Sequence, residues 1–170
     1  MKIFGRKHDG DRPAGGYDEA YLGLRKQVLS LSPDQLGLEA GSGPAVMALL
    51  METGYPVAVA TLVCVVDDTT SLYFSNGGGV IGAGAQPRVA EATRRLLRVC
   101  NQELAGLSPT SEPPPPEVGL TQFVAVPPDG LLAAVVPEKE LGERAHALSP
   151  FYYAGQDVIT QIRLLDEKSA

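Results

Sequence analysis

The sequence predicts an α+β fold, in which a central, mainly antiparallel sheet of about five strands carries flanking helices. Apolar runs of strand length, rich in β-branched residues, are separated by short turn signals. Segments with helical periodicity lie before, between and after these runs. The predicted order is helix, three strands, long helix, two strands, helix. That order does not fit a doubly wound parallel sheet.

The first helix is expected to begin near Asp18 and Glu19, because acidic side chains are favourable at a helix N-terminus. Apolar residues then recur at steps of three and four, at Tyr21, Leu24, Val28 and Leu31. Residues 1–16, charged and rich in glycine, are predicted to form a disordered tail. Residues 17–170 are predicted to form a single domain.

Three predicted strands follow, in VMALLMETGYP, VAVATLVCVV and SLYFS. The second and third form a predicted hairpin over residues 57–75, joined by the polar turn DDTT. A glycine-rich bend then leads to a long helix that opens at Gln86-Pro87.

The segment GLSPTSEPPPPEVG is predicted to be an extended connector outside the sheet. The two later strands, LTQFVAV and LLAAVV, flank a turn that contains Asp129-Gly130. A short helix is predicted to start at Pro137 and to include ERAHALS. Ser149-Pro150 begins the final helix.

The charge of the chain disfavours a nucleic-acid partner. Its 170 residues carry a net charge of −6, and an acidic surface repels a phosphate backbone. The N-terminal residues turn polar before a signal peptide could form, and no apolar run has the length of a membrane span. We therefore expect a cytoplasmic protein with no membrane span.

The stretch SNGGGVIGAG, residues 75–84, contains five glycines between a strand and a helix. Gly77, Gly79 and Gly82 match the G-x-G-x-x-G spacing of dinucleotide sites. However, the preceding strand belongs to a hairpin, and Glu103, about 20 residues on, falls inside a helix rather than at a strand end.

Two interpretations of the bend stay open. The glycines let the backbone turn from the sheet into the helix, or their N–H groups beside a helix N-terminus hold a small anion. The candidate ligand-binding residues are Ser75, Asn76, Gly77, Gly78, Gly79, Gly82 and Gly84.

Candidate catalytic and metal-ligating groups are sparse. The two histidines are His8, in the tail, and His146. Cys64 and Cys100 lie in apolar runs, which favours buried, reduced thiols, with a disulfide as the alternative. No metal-ligand spacing occurs, and Asp67-Asp68 is interpreted as a solvated hairpin tip. We predict no catalytic group, no metal and no cofactor, although an enzyme that uses His146 stays a third possibility.

Three arginines on the long helix, Arg94, Arg95 and Arg98, form a basic patch. Such a patch serves either as a partner-binding face or as a source of salt bridges.

The order of the predicted helices and strands resembles that of profilin-like and Roadblock/LC7-type domains. The residues that carry the resemblance are VAVATLVCVVDDTTSLYFS, the glycine bend, PRVAEATRRLLRVC and LTQFVAVPPDGLLAAVV. The three strands before the long helix depart from the two usual in Roadblock domains. The resemblance implies a non-enzymatic, dimeric platform that binds partners such as small GTPases.

The sequence thus predicts a non-catalytic interaction or regulatory domain, a homodimer with an unidentified protein partner. The alternative is a domain that binds a small ligand, anion or nucleotide at the glycine bend.

Overall fold

A computed structural model of the chain describes residues 16–39, 41, 43 and 45–169. Its main helices are α1 (Glu19–Leu29), α2 (Pro87–Gln102), the short α3 (Glu138–Gly142) and α4 (Ser149–Ser169). The strands are β1 (Ala48–Gly54), β2 (Val59–Val65), β3 (Thr70–Phe74), β4 (Gly79–Val80), β5 (Ser108–Thr110), β6 (Leu120–Val126) and β7 (Leu131–Pro137). Three short 3₁₀ turns cover Pro33–Leu36, Ala83–Ala85 and Leu104–Gly106.

The seven strands form one sheet in the order β4-β3-β2-β1-β6-β7-β5, and all neighbours are antiparallel. Strand β1 lies in the middle, and all seven of its residues are buried. Because side chains alternate between the two faces of a strand, burial along the whole of β1 requires cover on both faces.

Helices α2 and α4 cover one face of the sheet. Phe151 of α4 stacks on Phe123 of β6, with ring centroids 5.2 Å apart. Gly155 lets α4 lie close to β1, since a methyl group there would overlap the sulfur of Met51. Arg95 of α2 donates to Asp157 of α4 at 2.8 Å, which links the two helices at the surface.

Helix α1 covers the opposite face. The carboxylate of Asp18 caps its N-terminus by accepting the N–H of Ala20 at 2.8 Å. The Asp18 N–H donates to the carbonyl oxygen of Ser75 at 2.8 Å, so the helix starts at the end of β3. Its buried residues, Tyr21, Arg25 and Leu29, recur every four positions and form one inward stripe.

A buried ion pair joins α1 to the middle of the sheet. Glu52 of β1 is fully buried, and Nε and Nη2 of Arg25 each donate to one of its oxygens at 2.8 Å. The side-chain amide of Gln122 donates to Oε2 at 2.9 Å, and the hydroxyl of Thr61 donates to Oε1 at 3.2 Å. The Tyr21 hydroxyl lies against the same carboxylate. The charge is therefore both paired and hydrogen-bonded, as a buried carboxylate requires.

The structure confirms the α+β class and the antiparallel sheet, but the predicted number of about five strands was wrong. Strand β4 lies inside the glycine bend, where Val80 pairs with Leu72 of β3. Strand β5 lies at the start of the segment interpreted as a connector, where Pro109 pairs with Leu132 of β7. A proline fits there because β5 is an edge strand, whose outer N–H groups need no partner in the sheet.

A further difference concerns the short helix after β7. It was predicted to include ERAHALS, but α3 ends at Gly142 and the residues that follow form turns. Arg144 has a φ of 59°, a left-handed conformation that ends a helix. The predicted disordered tail, apart from Gly16, lies outside the described residues.

We expect Arg25→Ala to lower the free energy of unfolding by about 3–5 kcal/mol, because Glu52 would stay buried without its counter-ion. Equilibrium unfolding in urea measures this change. The matched control is Lys26→Ala, at an exposed position of the same helix, which we expect to change the value by less than about 0.5 kcal/mol. A loss for Arg25→Ala as small as that of the control would contradict the assigned role of the ion pair.

Candidate functional site

The glycine bend owes its composition to backbone geometry. Four of its glycines have positive φ angles: Gly77, Gly78, Gly79 and Gly82. At Gly84 a methyl group would overlap the carbonyl oxygen of Asp68, in the turn between β2 and β3. The bend therefore packs against its own hairpin, in a conformation that side chains would obstruct.

The end of the bend borders an open cleft of about 360 Å³. Gly82 and Gly84 line it together with Asp67, Asp68 and Thr69. Arg94 lies nearby, but its guanidinium makes a two-bond ion pair with Asp68. Because Arg94 compensates the charge of Asp68, the carboxylate of Asp67 leaves the cleft with a net negative charge, which disfavours a phosphate or another anion.

The candidate ligand residues before the cleft lie apart from it. Ser75 is buried, its hydroxyl accepts the Val59 N–H at 2.8 Å, and its carbonyl holds the start of α1. Asn76, Gly77 and Gly78 are exposed in the turn after β3 and do not line the cleft. Anion binding by the bend stays a prediction, and the surrounding charges do not favour it.

The three arginines of the basic patch differ in their contacts. Arg94 pairs with Asp68, and Arg95 bridges Glu91 and Asp157 at 2.9 and 2.8 Å. Arg98 is exposed and has no ion pair among the described side chains. Partner binding by this patch stays a prediction. Of its three arginines, Arg98 is the one whose guanidinium makes no ion pair with a described carboxylate.

The two candidate nucleophiles, the thiols of Cys64 and Cys100, are buried in the core. Cys64 and Cys100 are free thiols buried completely, and burial raises the pKa of each to about 12. Cys64 lies 3.7 Å from the hydroxyl of Thr93. Nδ1 of His146 accepts the Leu148 N–H at 3.1 Å, just before α4. Neither thiol is hydrogen-bonded to the imidazole, so these groups form no nucleophile–base pair.

An exposed apolar surface lies at the end of the sheet where β1 joins β2. It consists of Tyr55, Val57 and Phe74, which are 38, 70 and 37% exposed. Tyr55 and Val57 belong to the turn between β1 and β2, and Phe74 is the last residue of β3. We call this the hairpin-end surface.

A small groove opens within the hairpin-end surface, between the sheet and α4. Its volume is about 90 Å³, and most of its lining is apolar. The apolar lining residues are Met51, Ala60, Leu72, Phe74 and Ile159, and the others are Thr53, Tyr55, Gln156 and Arg163.

Charged groups lie beside this groove. The hydroxyl groups of Tyr55 and Tyr152 both donate to Oε1 of Glu138, at 3.1 and 2.9 Å. Burial and the negative charge of Glu138 raise the pKa of Tyr55 to about 12, so its hydroxyl stays protonated. Arg163 lines the groove, and no described carboxylate lies within ion-pair distance of it. The groove thus combines an apolar floor with one cation and one anion at its border.

Comparison with protein-family models, with curated proteins and with solved structures finds no match to this chain. The resemblance to profilin-like and Roadblock/LC7-type domains therefore stays a prediction. Among the described residues, no group of three or more His, Cys, Asp or Glu side chains is placed to hold a metal ion. In that same part of the chain, none of the helices has the length and apolar character needed to cross a bilayer.

Sequence reasoning missed two features that carry recognisable signals. Glu52 interrupts an apolar strand run, and Arg25 falls on the inward stripe of α1, four residues after Tyr21. Opposite charges at inward positions of two elements indicate a buried pair. Val57 in a two-residue turn, where polar residues are usual, indicates a covered surface.

We expect neither cysteine to react with a thiol reagent such as DTNB at pH 8 in the folded protein. A pH of 8 is far below the pKa of about 12 of each thiol, so both stay protonated. The reactive form of cysteine is the thiolate. In guanidinium chloride both thiols should react. Rapid modification of either thiol before unfolding would contradict the assigned burial.

We expect millimolar ATP, NAD or inorganic phosphate to leave the melting temperature unchanged, because Asp67 leaves the cleft with a net negative charge that repels anions. Differential scanning fluorimetry measures this. A rise in Tm that grows with ligand concentration would show instead that the bend binds anions.

Proposed function

We propose that this chain is a non-catalytic interaction or regulatory domain of the cytoplasm, which self-associates and binds a protein partner. The observation that carries the proposal is the hairpin-end surface, where exposed Tyr55 and Phe74 line an apolar groove and Val57 is exposed in the adjoining turn. Contiguous apolar surface of this kind marks interaction sites in soluble proteins.

The composition of the hairpin-end surface supports an interface in particular. Tyr and Phe are enriched in the cores of protein interfaces, where they bury a large area with little loss of conformational freedom. The hydroxyl of Tyr55 is already bonded to Glu138, so its ring is held in place before any partner arrives. A fixed aromatic wall lowers the entropic cost of association.

The chemistry of the described polar groups supports a binding role over a catalytic one. The thiols are buried with raised pKa values, and the imidazole of His146 caps a turn. Glu52, the most deeply buried carboxylate, is fully engaged by Arg25 and its neighbours. Each of these groups holds the fold together through contacts of its own.

The second part of the proposal concerns a different protein. Arg94, Arg95 and Arg98 give α2 a basic strip, and an acidic partner surface would complement Arg98 in particular. This partner surface lies on α2 and is separate from the hairpin-end surface.

Sedimentation velocity over a range of protein concentrations tests self-association. We expect a species of about twice the chain mass of 17.9 kDa that dissociates on dilution. A species of 17.9 kDa at every concentration, including several hundred micromolar, would contradict the proposal.

A further inference from the structure

We propose that the hairpin-end surface pairs with the same surface of a second copy of the chain, and that Val57 of each copy inserts into the groove of the other. This inference rests on the proposed self-association and assigns it to a particular surface.

Val57 has the shape and position of an inserting residue. The residue is 70% exposed, the highest fraction among the large apolar residues of the described part of the chain. It lies with Pro56 at the tip of a two-residue turn, closed by the Tyr55 N–H donating to the Ala58 carbonyl at 2.9 Å. Turns of this length usually carry Gly, Asn or Asp, so a valine here exposes apolar area that the turn itself does not need.

The groove has the size and chemistry of a receiving site. Its volume of about 90 Å³ is several times the roughly 10–15 Å³ that one water molecule needs by the same measure, so a small aliphatic side chain has room to enter. Ala60 leaves room on its floor, and Phe74 and Ile159 supply apolar walls. Burial of an aliphatic side chain in such a groove is favourable because it removes apolar area on both partners from water.

The inserting residue and the groove lie side by side on one hairpin. Tyr55, two residues before Val57, lines the groove, and so does Ala60, three residues after it. A two-fold axis beside the turn therefore brings each Val57 to the other copy's groove in a single closed arrangement. Self-complementarity of this kind is the requirement for an isologous dimer.

Charge at the border of the groove fits the same arrangement. Glu138, held by the hydroxyl groups of Tyr55 and Tyr152, and Arg163, which lines the groove, are of opposite sign. In the chain itself these two side chains do not form an ion pair. The pairing that we propose would set Arg163 of one copy against the partner's Glu138, and opposite charges attract across such an interface.

Three variants test the inference in sedimentation experiments on the full chain. Val57→Asp places a charge on the inserting residue, and Ala60→Leu fills the groove from its floor. The matched control is Ile81→Asp, since Ile81 is 63% exposed but lies outside this surface. Circular dichroism and the melting temperature establish that each variant is folded.

We expect Val57→Asp and Ala60→Leu each to raise the dimer dissociation constant at least about 100-fold, because each change removes two symmetry-related contacts. Ile81→Asp should leave it within about threefold of the wild type. A wild-type dissociation constant for folded Val57→Asp or folded Ala60→Leu overturns the assigned surface while leaving self-association intact. A monomeric wild type overturns both proposals.

Discussion

The carboxylate of Glu52 sets the requirement that organises this molecule. It lies in the middle strand of a seven-stranded sheet, fully buried, and a charge in that position needs a counter-ion and several hydrogen bonds. Arg25 supplies the counter-ion, which fixes where α1 lies and how it is rotated. Thr61 and Gln122 supply hydrogen bonds from the two strands beside β1, opposite Glu52 in the register. A slip of one residue in either strand would turn these groups to the other face.

The other face of the sheet is organised by shape. There α2 and α4 pack through apolar side chains, with Gly155 permitting close contact and Phe151 stacked on Phe123. The two faces are therefore stabilised in different ways. On the α1 face an ion pair specifies the position of the helix, and on the α2 and α4 face close packing of apolar side chains forms the larger core cluster. Arg95 and Asp157 add a surface contact between the two helices, where solvent limits its value.

The sequence predicted the elements whose signals are local. Asp18, Pro87 and Ser149 mark helix starts, and Asp129-Gly130 marks a hairpin, all as observed. Strands β4 and β5 were missed because two or three residues are too few to show a period, and only their pairing partners define them. The Arg25–Glu52 pair spans 27 residues, and the groove draws on β1, β2, β3 and α4, so both depend on how the sheet is assembled. The glycine bend could be interpreted either as a backbone turn into the helix or as an anion site. Its neighbours, above all Asp67 and Asp68, favour the backbone turn.

The two edges of the sheet carry a consequence of their own. Strand β4 has only two residues, and β5 has three with Pro109 in the middle, which lacks an N–H. A strand from a neighbouring molecule finds few backbone groups to pair with on β4 or on β5, although β5 covers only the first three residues of the seven-residue strand β7. Neither outermost strand is therefore a good template for open-ended growth into fibrils. Contact between copies is steered away from the backbone and toward side chains, where its extent is limited by shape.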